Sequence, residues 1–539
     1  MHDLSFTPKN VYFSYGELRL SVEIFTRNNI FTADPEKTEI AGGGFYSSGL
    51  LTSGGQEACE GSLWLKTEGG KVLVGGTIAG QRADCIKLAI EGLPLGAVDG
   101  TIDCILREVD DFGFVLHYPE GWRELATPAT FLNTDRGVYY FYSEDKLIRE
   151  KRFAFMRRDG GTRAELIFEE DATEICESIT APAWCIGLTD SGEGKSAIKR
   201  DIAHYVAAAH GLVPFEKRAD TPSWLPDISL VIGAHCMHWT GYVFNKYEDI
   251  IPLIDYVCDR IDGKHVLVYL PGFEGRYYYD YGNYSTSPKL GGDEGMQRLV
   301  DACHARGVHI MPFFGINVVS TKSEGYSTWG APSQFAPAAG GVCNHLDCDM
   351  DSARHYHHGS QGILNPAAPL WQDHLVSQVC AMRDKFGFDG VFLDISAMWV
   401  NDAAYKVFPG LKRMCERMRE GAPDFLVSGE AWYDGISECM PLVHSGHTFG
   451  KMHYHDEFNE ELFVPYCRTF AHLCLGDPSR HSTGVHELGT NHTWRAPVRR
   501  GVIPTLTVVD TTLADGKEGI DAIIADAHTY RDLYCTKQS

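Results

Sequence analysis

The chain has 539 residues, 44% of them hydrophobic and 22% charged. That composition is globular and excludes a disordered chain, a collagen or a small disulfide scaffold. Forty-eight basic residues against seventy-two acidic ones leave a formal charge of −24, a field that repels phosphate backbones and anionic membrane surfaces, so neither nucleic acid nor a membrane is expected as a partner. Sixteen cysteines are scattered without a CxxC pair, many inside apolar patterns; buried reduced thiols explain them better than a disulfide framework. The N-terminal Met-His-Asp-Leu-Ser-Phe lacks the basic and apolar regions of a secretion signal. No run of about 18 apolar residues is present to span a bilayer. A soluble cytoplasmic protein is the expectation.

In chain order, residues 1–195 alternate short apolar and polar positions, as in Leu18-Arg-Leu-Ser-Val-Glu-Ile-Phe25 and Gly137-Val-Tyr-Tyr-Phe-Tyr142. Turn signals such as Asp99-Gly100 and Asp159-Gly160 separate them, a rhythm that predicts a β-sandwich. A helix over 194–210 and a Pro-rich joint over 221–226 follow, making 196–226 a linker. From 227 to 539 the rhythm becomes strand, loop, helix. Fully apolar runs at 228–233, 266–270, 308–314, 390–394 and 425–430 read as buried parallel strands. Helices are expected at 249–261, 292–306, 371–385 and 410–420, weaker strands at 448–453, 483–488 and 503–509, and a last helix at 519–534. Eight strands over roughly 310 residues fit a (β/α)8 TIM-type barrel. A doubly wound open sheet is the alternative, and the first strand lacks the Gly-rich phosphate turn of its nucleotide-binding form. The expected fold is therefore α/β, an N-terminal β-sandwich followed by a (β/α)8 barrel.

Working residues of such a barrel project from the C-terminal ends of its strands. Asp394 and Glu430 end two consecutive apolar runs and so stand side by side on one rim, each followed closely by a tryptophan, Trp399 and Trp432. Hydrolysis of a glycosidic bond needs such a pair, one carboxyl group to protonate the leaving oxygen and the other to attack carbon or activate water. The bland alternative for either residue is an ion pair with Arg or a helix cap.

The passage from Gly292 through His304 to Met311 contains a Leu-Val-x-x-x-His-x-x-Gly pattern and resembles the approach to the third strand in the α-amylase superfamily, with Asn317 at the place of that superfamily's conserved Asn. The run ending at Asp394 is similar to its nucleophile segment, the run ending at Glu430 to its acid/base segment, and 487–493 to its seventh-strand motif. Four departures separate this chain from starch-type enzymes: Phe392, Phe313, Val318 and Thr493 replace an Arg, an Asp, a His and an acidic residue. With a β-domain before the barrel, the pattern looks more like the endo-α-N-acetylgalactosaminidases and their relatives. That resemblance implies Asp394 as nucleophile and Glu430 as acid/base, and it covers the second half of the chain only.

The rim supplies further candidates. His235 and Trp239 follow the first strand, and Tyr269 ends the second and leads to Arg276 in an aromatic loop, where a carboxylate-bearing sugar (sialic or uronic) could be recognised. His455 and Asp456 lie near the expected sixth strand, His486 and His492 near the seventh. The long segment 318–369 holds Asp347, Asp349, Asp351, His355, His357 and His358, a set able to ligate a metal or simply to form a polar cap, and the polar cap is preferred. The sequence thus reads as an O-glycoside hydrolase acting on an oligosaccharide or glycoconjugate, retaining in mechanism, with no cofactor and no metal, and compatible with an oligomer. A metal-dependent hydrolase and a non-catalytic carbohydrate-binding barrel are the rivals.

Overall fold

The structure is a computed structural model that describes residues 4–7, 10–100, 106–121, 124–238, 241–276, 281–338, 340–342, 344–345, 361–445, 456–471, 495 and 497–535. Up to Thr189 the described chain forms two ten-stranded antiparallel sheets. Alternation explains them: Leu18–Phe25 buries Leu18, Leu20, Val22 and Ile24 while Arg19 points outward. Those inward side chains meet the other sheet across the sandwich, where a Cβ placed on Gly76 would lie 3.5 Å from Ile24. The helix Glu193–Ala209 then buries Ile202, Ala203 and Val206. Lys199 of this helix pairs with Glu457 at 3.4 Å, which ties it to the second half of the chain.

From Leu230 onward the sheet is parallel. Leu230–Ala234, Val266–Leu270, His309–Gly315, Gly390–Asp394 and Leu426–Glu430 are its first five strands, adjacent in that order. Nearly every residue in them is buried, as expected for a sheet covered on both faces. The next two strands of the sheet are Leu442–Ser445 and Arg468–Ala471; the expected strands at 448–453 and 483–488 lie outside the described residues. The path ends on Val502–Ile503 and Thr505–Val508, one run interrupted at Pro504. The first piece pairs with the seventh strand and the second with the first strand, which brings the sheet back on itself as a barrel. Helices Tyr247–Cys258, Gly292–His304, Pro369–Phe386, Val407–Arg419 and Lys517–Tyr534 connect and cover the strands. Between the fifth and sixth strands the α-helix is replaced by a single 3-10 segment, Asp434–Glu438.

The barrel interior beneath the site is aromatic. Tyr269, Phe313, Phe392, His444 and Phe470, each from a different strand, pack ring to ring, with Phe313 and Phe392 stacked at 5.1 Å. At the opposite end of the strands, Asp389 accepts a bond from the Ile310 N–H at 2.9 Å and faces His304 at 3.0 Å and His309 at 3.3 Å. These partners hold its carboxyl down to about 2 against the cost of its burial. His304 of the sequence motif is therefore a strut at the barrel's N-terminal end. Among the described residues every cysteine is free, and no helix is long and apolar enough to cross a membrane.

Candidate active site

Asp394 and Glu430 are the last residues of the fourth and fifth parallel strands, whose register pairs Leu393 with Gly429. Both are buried, with 1% and 3% of their surface exposed. Directly after each carboxylate the backbone enters the left-handed region: Ile395 has φ +59° and Ala431 φ +59°. For a β-branched residue that conformation is an outlier, costing about 1–3 kcal/mol. Its consequence is geometric. The turned Ile395 N–H donates to Glu430 Oε2 at 2.8 Å, and the Ser396 hydroxyl donates to the Glu430 carbonyl at 2.7 Å. The Ile395 carbonyl accepts from Asn317 Nδ2 at 3.0 Å, and the Ala431 N–H donates to the His444 carbonyl at 2.8 Å. Strain in the two turns is thus held by bonds that tie the ends of the third to sixth strands together.

The two carboxyl groups are near neighbours, and each bears on the other's proton. Tyr281 donates to Asp394 Oδ2 at 3.2 Å, and His444 Nδ1 stands 3.9 Å from Glu430 Oε1. Burial raises both carboxyls. Asp394 is pushed well above the ordinary range, first by burial and then by its neighbour, and Glu430 is pushed up to about 7 by burial. A pair in this state titrates as a unit and keeps one proton between its members near neutrality. One protonated and one ionised carboxyl on a single rim is the equipment of an acid paired with a nucleophile or base.

The other expected residues are distributed as follows. His235 follows the first strand, is buried, and stacks on Phe244 at 5.0 Å. Tyr269 lies inside the barrel, 1% exposed, as part of the aromatic floor. Asn317 acts on backbone, holding the turn after Asp394. Trp432 is packed behind the fifth strand, its indole N–H on Ser437 Oγ at 2.8 Å and its ring 5.5 Å from Phe463. Trp399 is half-buried on the loop after Asp394. Arg276 is half-buried beside Gly241. Asp456 opens the short helical turn Asp456–Phe458. Trp239, His455, His486, His492, the 487–493 motif and the Asp347–His358 cluster lie outside the described residues. Sequence reasoning missed Tyr281, His444 and the Ile395 N–H. The tyrosine-rich loop that ends in Tyr281 was a usable signal; His444 lies on a four-residue strand with no apolar run to mark it.

The sandwich also reaches this rim. The Tyr118 hydroxyl donates to Asp434 Oδ1 at 2.7 Å, and the Asp434 N–H donates to the Ala126 carbonyl at 2.9 Å. Gly121 has no room for a side chain: a Cβ there would lie 2.5 Å from Ala397 and 3.0 Å from the Trp432 backbone nitrogen. A loop of the first half thus wedges between the segments that follow the two carboxylates.

No protein-family model matches this chain, and no curated protein sequence matches it. Solved structures do share its fold. The α-N-acetylgalactosaminidase NagBb from Bifidobacterium bifidum, in complex with GalNAc, is 13% identical with a TM-score of 0.66, over 99% of this chain and 94% of that one. Its complex with Gal-NHAc-DNJ gives 14% identity and a TM-score of 0.68 over the same shares. The GH36 α-galactosidase AgaA from Geobacillus stearothermophilus, as a variant in complex with raffinose, is 12% identical with a TM-score of 0.52, over 99% of this chain and 74% of that one. At these identities the likeness is one of fold: a barrel joined to a β-rich region, spanning nearly the whole chain rather than its second half alone. The starch-type motif at His304 has a structural role here, so the resemblance to the α-amylase superfamily carries no functional weight at that position.

Proposed function

We propose that this chain is a retaining glycoside hydrolase in which Asp394 is the nucleophile and Glu430 the acid/base, with a β-sandwich over 1–195 supporting a catalytic (β/α)8 barrel over 227–539. The observation that carries the reading is the buried pair of proton-sharing carboxyls at adjacent strand ends. The ionised form of Asp394 is favoured by the Tyr281 hydroxyl. Burial leaves the shared proton on Asp394 in the resting fold; in the reaction it sits on Glu430, which delivers it to the glycosidic oxygen as Asp394 attacks the anomeric carbon. In the second half-reaction Glu430 takes a proton from water, and water displaces the sugar from Asp394.

The shared fold with NagBb and AgaA supports an α-linked galactose-type sugar, α-N-acetylgalactosaminide or α-galactoside, as the substrate class. An acidic sugar held by Arg276 ranks behind it. A panel of nitrophenyl and methylumbelliferyl glycosides that includes both sugars and a sialoside tests the reading: turnover of an α-galactose-type member, lost in Asp394→Ala, supports it, and undiminished turnover in that variant overturns it.

A further inference from the structure

The sandwich and the barrel leave a groove between them. Its inner part, a cavity of about 360 Å³, is lined by His117, Tyr118 and Glu150 on one side and by Ala397, Met398 and Trp399 on the other. Its outer part, about 990 Å³, continues past Arg152, Glu169 and Asn401. Glu150 and Trp399 line both, so the two form one channel. Resting on the hydrolase reading above, we propose that this groove is the leaving-group subsite, and that it receives a neutral, hydroxyl-rich glycan chain attached to the sugar being cleaved.

Position is the first argument. The barrel-side wall begins three residues after Asp394. The Gly121 wedge touches Ala397 and the Trp432 backbone, so the sandwich loop bridges the segments leading away from both carboxylates. The groove therefore flanks the segments that lead away from both strand ends.

The chemistry of the walls is the second. Trp399 offers a half-buried ring whose indole N–H is buried without a hydrogen-bond partner among the described residues. Opposite it stand planar polar groups, Glu150, Glu169 and Arg152. An aromatic face for the apolar side of a pyranose, with carboxylate and guanidinium groups for its hydroxyls, is a combination suited to sugars. The groove is also pre-formed, because Asn401 clamps the barrel loop to the sandwich. Its Nδ2 donates to the Glu170 carbonyl at 2.8 Å, and its Oδ1 accepts from the Ala172 N–H at 2.8 Å.

Charge decides between occupants. Glu120, Glu124 and Glu150 at the inner end oppose a phosphorylated, sulfated or sialylated chain, while Arg27, Arg82 and Arg152 at the outer end offset Asp84, Glu150 and Glu169, so the channel as a whole favours a neutral occupant. A basic peptide is also disfavoured, because the carboxylates are already engaged. Glu124 Oε2 accepts the His117 N–H, Glu120 Oε2 accepts the Glu124 N–H, and Glu150 faces both His117 and Arg152. Burial, and next the neighbouring Glu150, raises Glu169 to about 7, and Arg152 pairs with it.

Calorimetric titration of the full chain with neutral tetrasaccharides (lacto-N-tetraose, maltotetraose and cellotetraose) tests the proposal without requiring turnover. At least one should bind, with affinity reduced about 10-fold or more, equivalent to about 1.4 kcal/mol, in Trp399→Ala. The same loss is expected in Thr173→Trp, which fills the outer groove from an exposed position on the sandwich. 3′-Sialyllactose and tri-lysine should not bind. Failure of all three tetrasaccharides, undiminished binding in both variants, or preferential binding of tri-lysine would overturn the subsite while leaving the hydrolase reading intact. Binding as expected together with inactivity on every aryl glycoside would instead sink the hydrolase reading.

Discussion

Replacing Glu430 by Gln should make the folded protein more stable at alkaline pH while destroying the proposed activity. In the fold burial pushes Glu430 up to about 7, against 4.5 for an ordinary glutamate, although Asp394 and the Ile395 N–H pull the other way. A group whose folded value is raised contributes stability that is fully present below its unfolded value and lost as pH rises through the folded one. Linkage then gives a penalty of about 0.8 kcal/mol at pH 5 and about 3 kcal/mol at pH 8. The amide never ionises and its oxygen can still accept the Ile395 N–H, so the variant escapes most of that penalty. Coupling to Asp394 spreads the effect across the pair, so a gain of about 1–3 kcal/mol at pH 8 is expected, shrinking several-fold at pH 5. Urea unfolding followed by tryptophan fluorescence at the two pH values measures it. A variant less stable than the parent at pH 8, or stabilised equally at both, would refute the electrostatic account of the site.

Three further outcomes are expected. Glu430→Ala should lower turnover of a glycoside with a poor leaving group by about 10²–10⁴-fold, with a smaller loss on a 2,4-dinitrophenyl glycoside that needs no proton; equal losses on both in steady-state kinetics would contradict its role as acid. Tyr118→Phe should cost about 1–3 kcal/mol in urea unfolding, because it strips a donor from the buried Asp434 across the sandwich–barrel junction; an unchanged midpoint would mean that this junction bond is not structural. Asp389→Asn should cost about 2 kcal/mol at pH 6 and nothing near pH 2, since the depressed carboxyl contributes stability above its ordinary value that is lost as pH falls toward about 2; a cost independent of pH would show that its partners His304 and His309 do not hold its charge.

The parts of the fold that were readable were those written locally. Strands such as Val266–Leu270 and Gly390–Asp394 are unbroken apolar runs, buried throughout. The sixth and seventh strands were not readable: each has four residues, and His444, Ser445, Arg468 and Thr469 break their apolar pattern. Asp394 and Glu430 could be picked out because strand-end position is a local property. The left-handed turn at Ile395 and the approach of Tyr281 and His444 are tertiary facts with no local signature. His304 is the instructive case, since a residue of the motif that carried the family resemblance pairs with Asp389 at the far end of the barrel. The sandwich carried no catalytic pattern, yet its Tyr118–Gly121 stretch reaches the rim, which only the folded arrangement could reveal.

The most direct test of the central claim is to trap the glycosyl-enzyme. Glu430→Ala, incubated with 2,4-dinitrophenyl α-N-acetylgalactosaminide or α-galactoside, should form the intermediate faster than it hydrolyses it. Peptic digestion and tandem mass spectrometry should then place one added glycosyl residue on Asp394. Turnover of these substrates with no adduct on Asp394, or with the adduct on another residue, would contradict the assignment of nucleophile and acid/base.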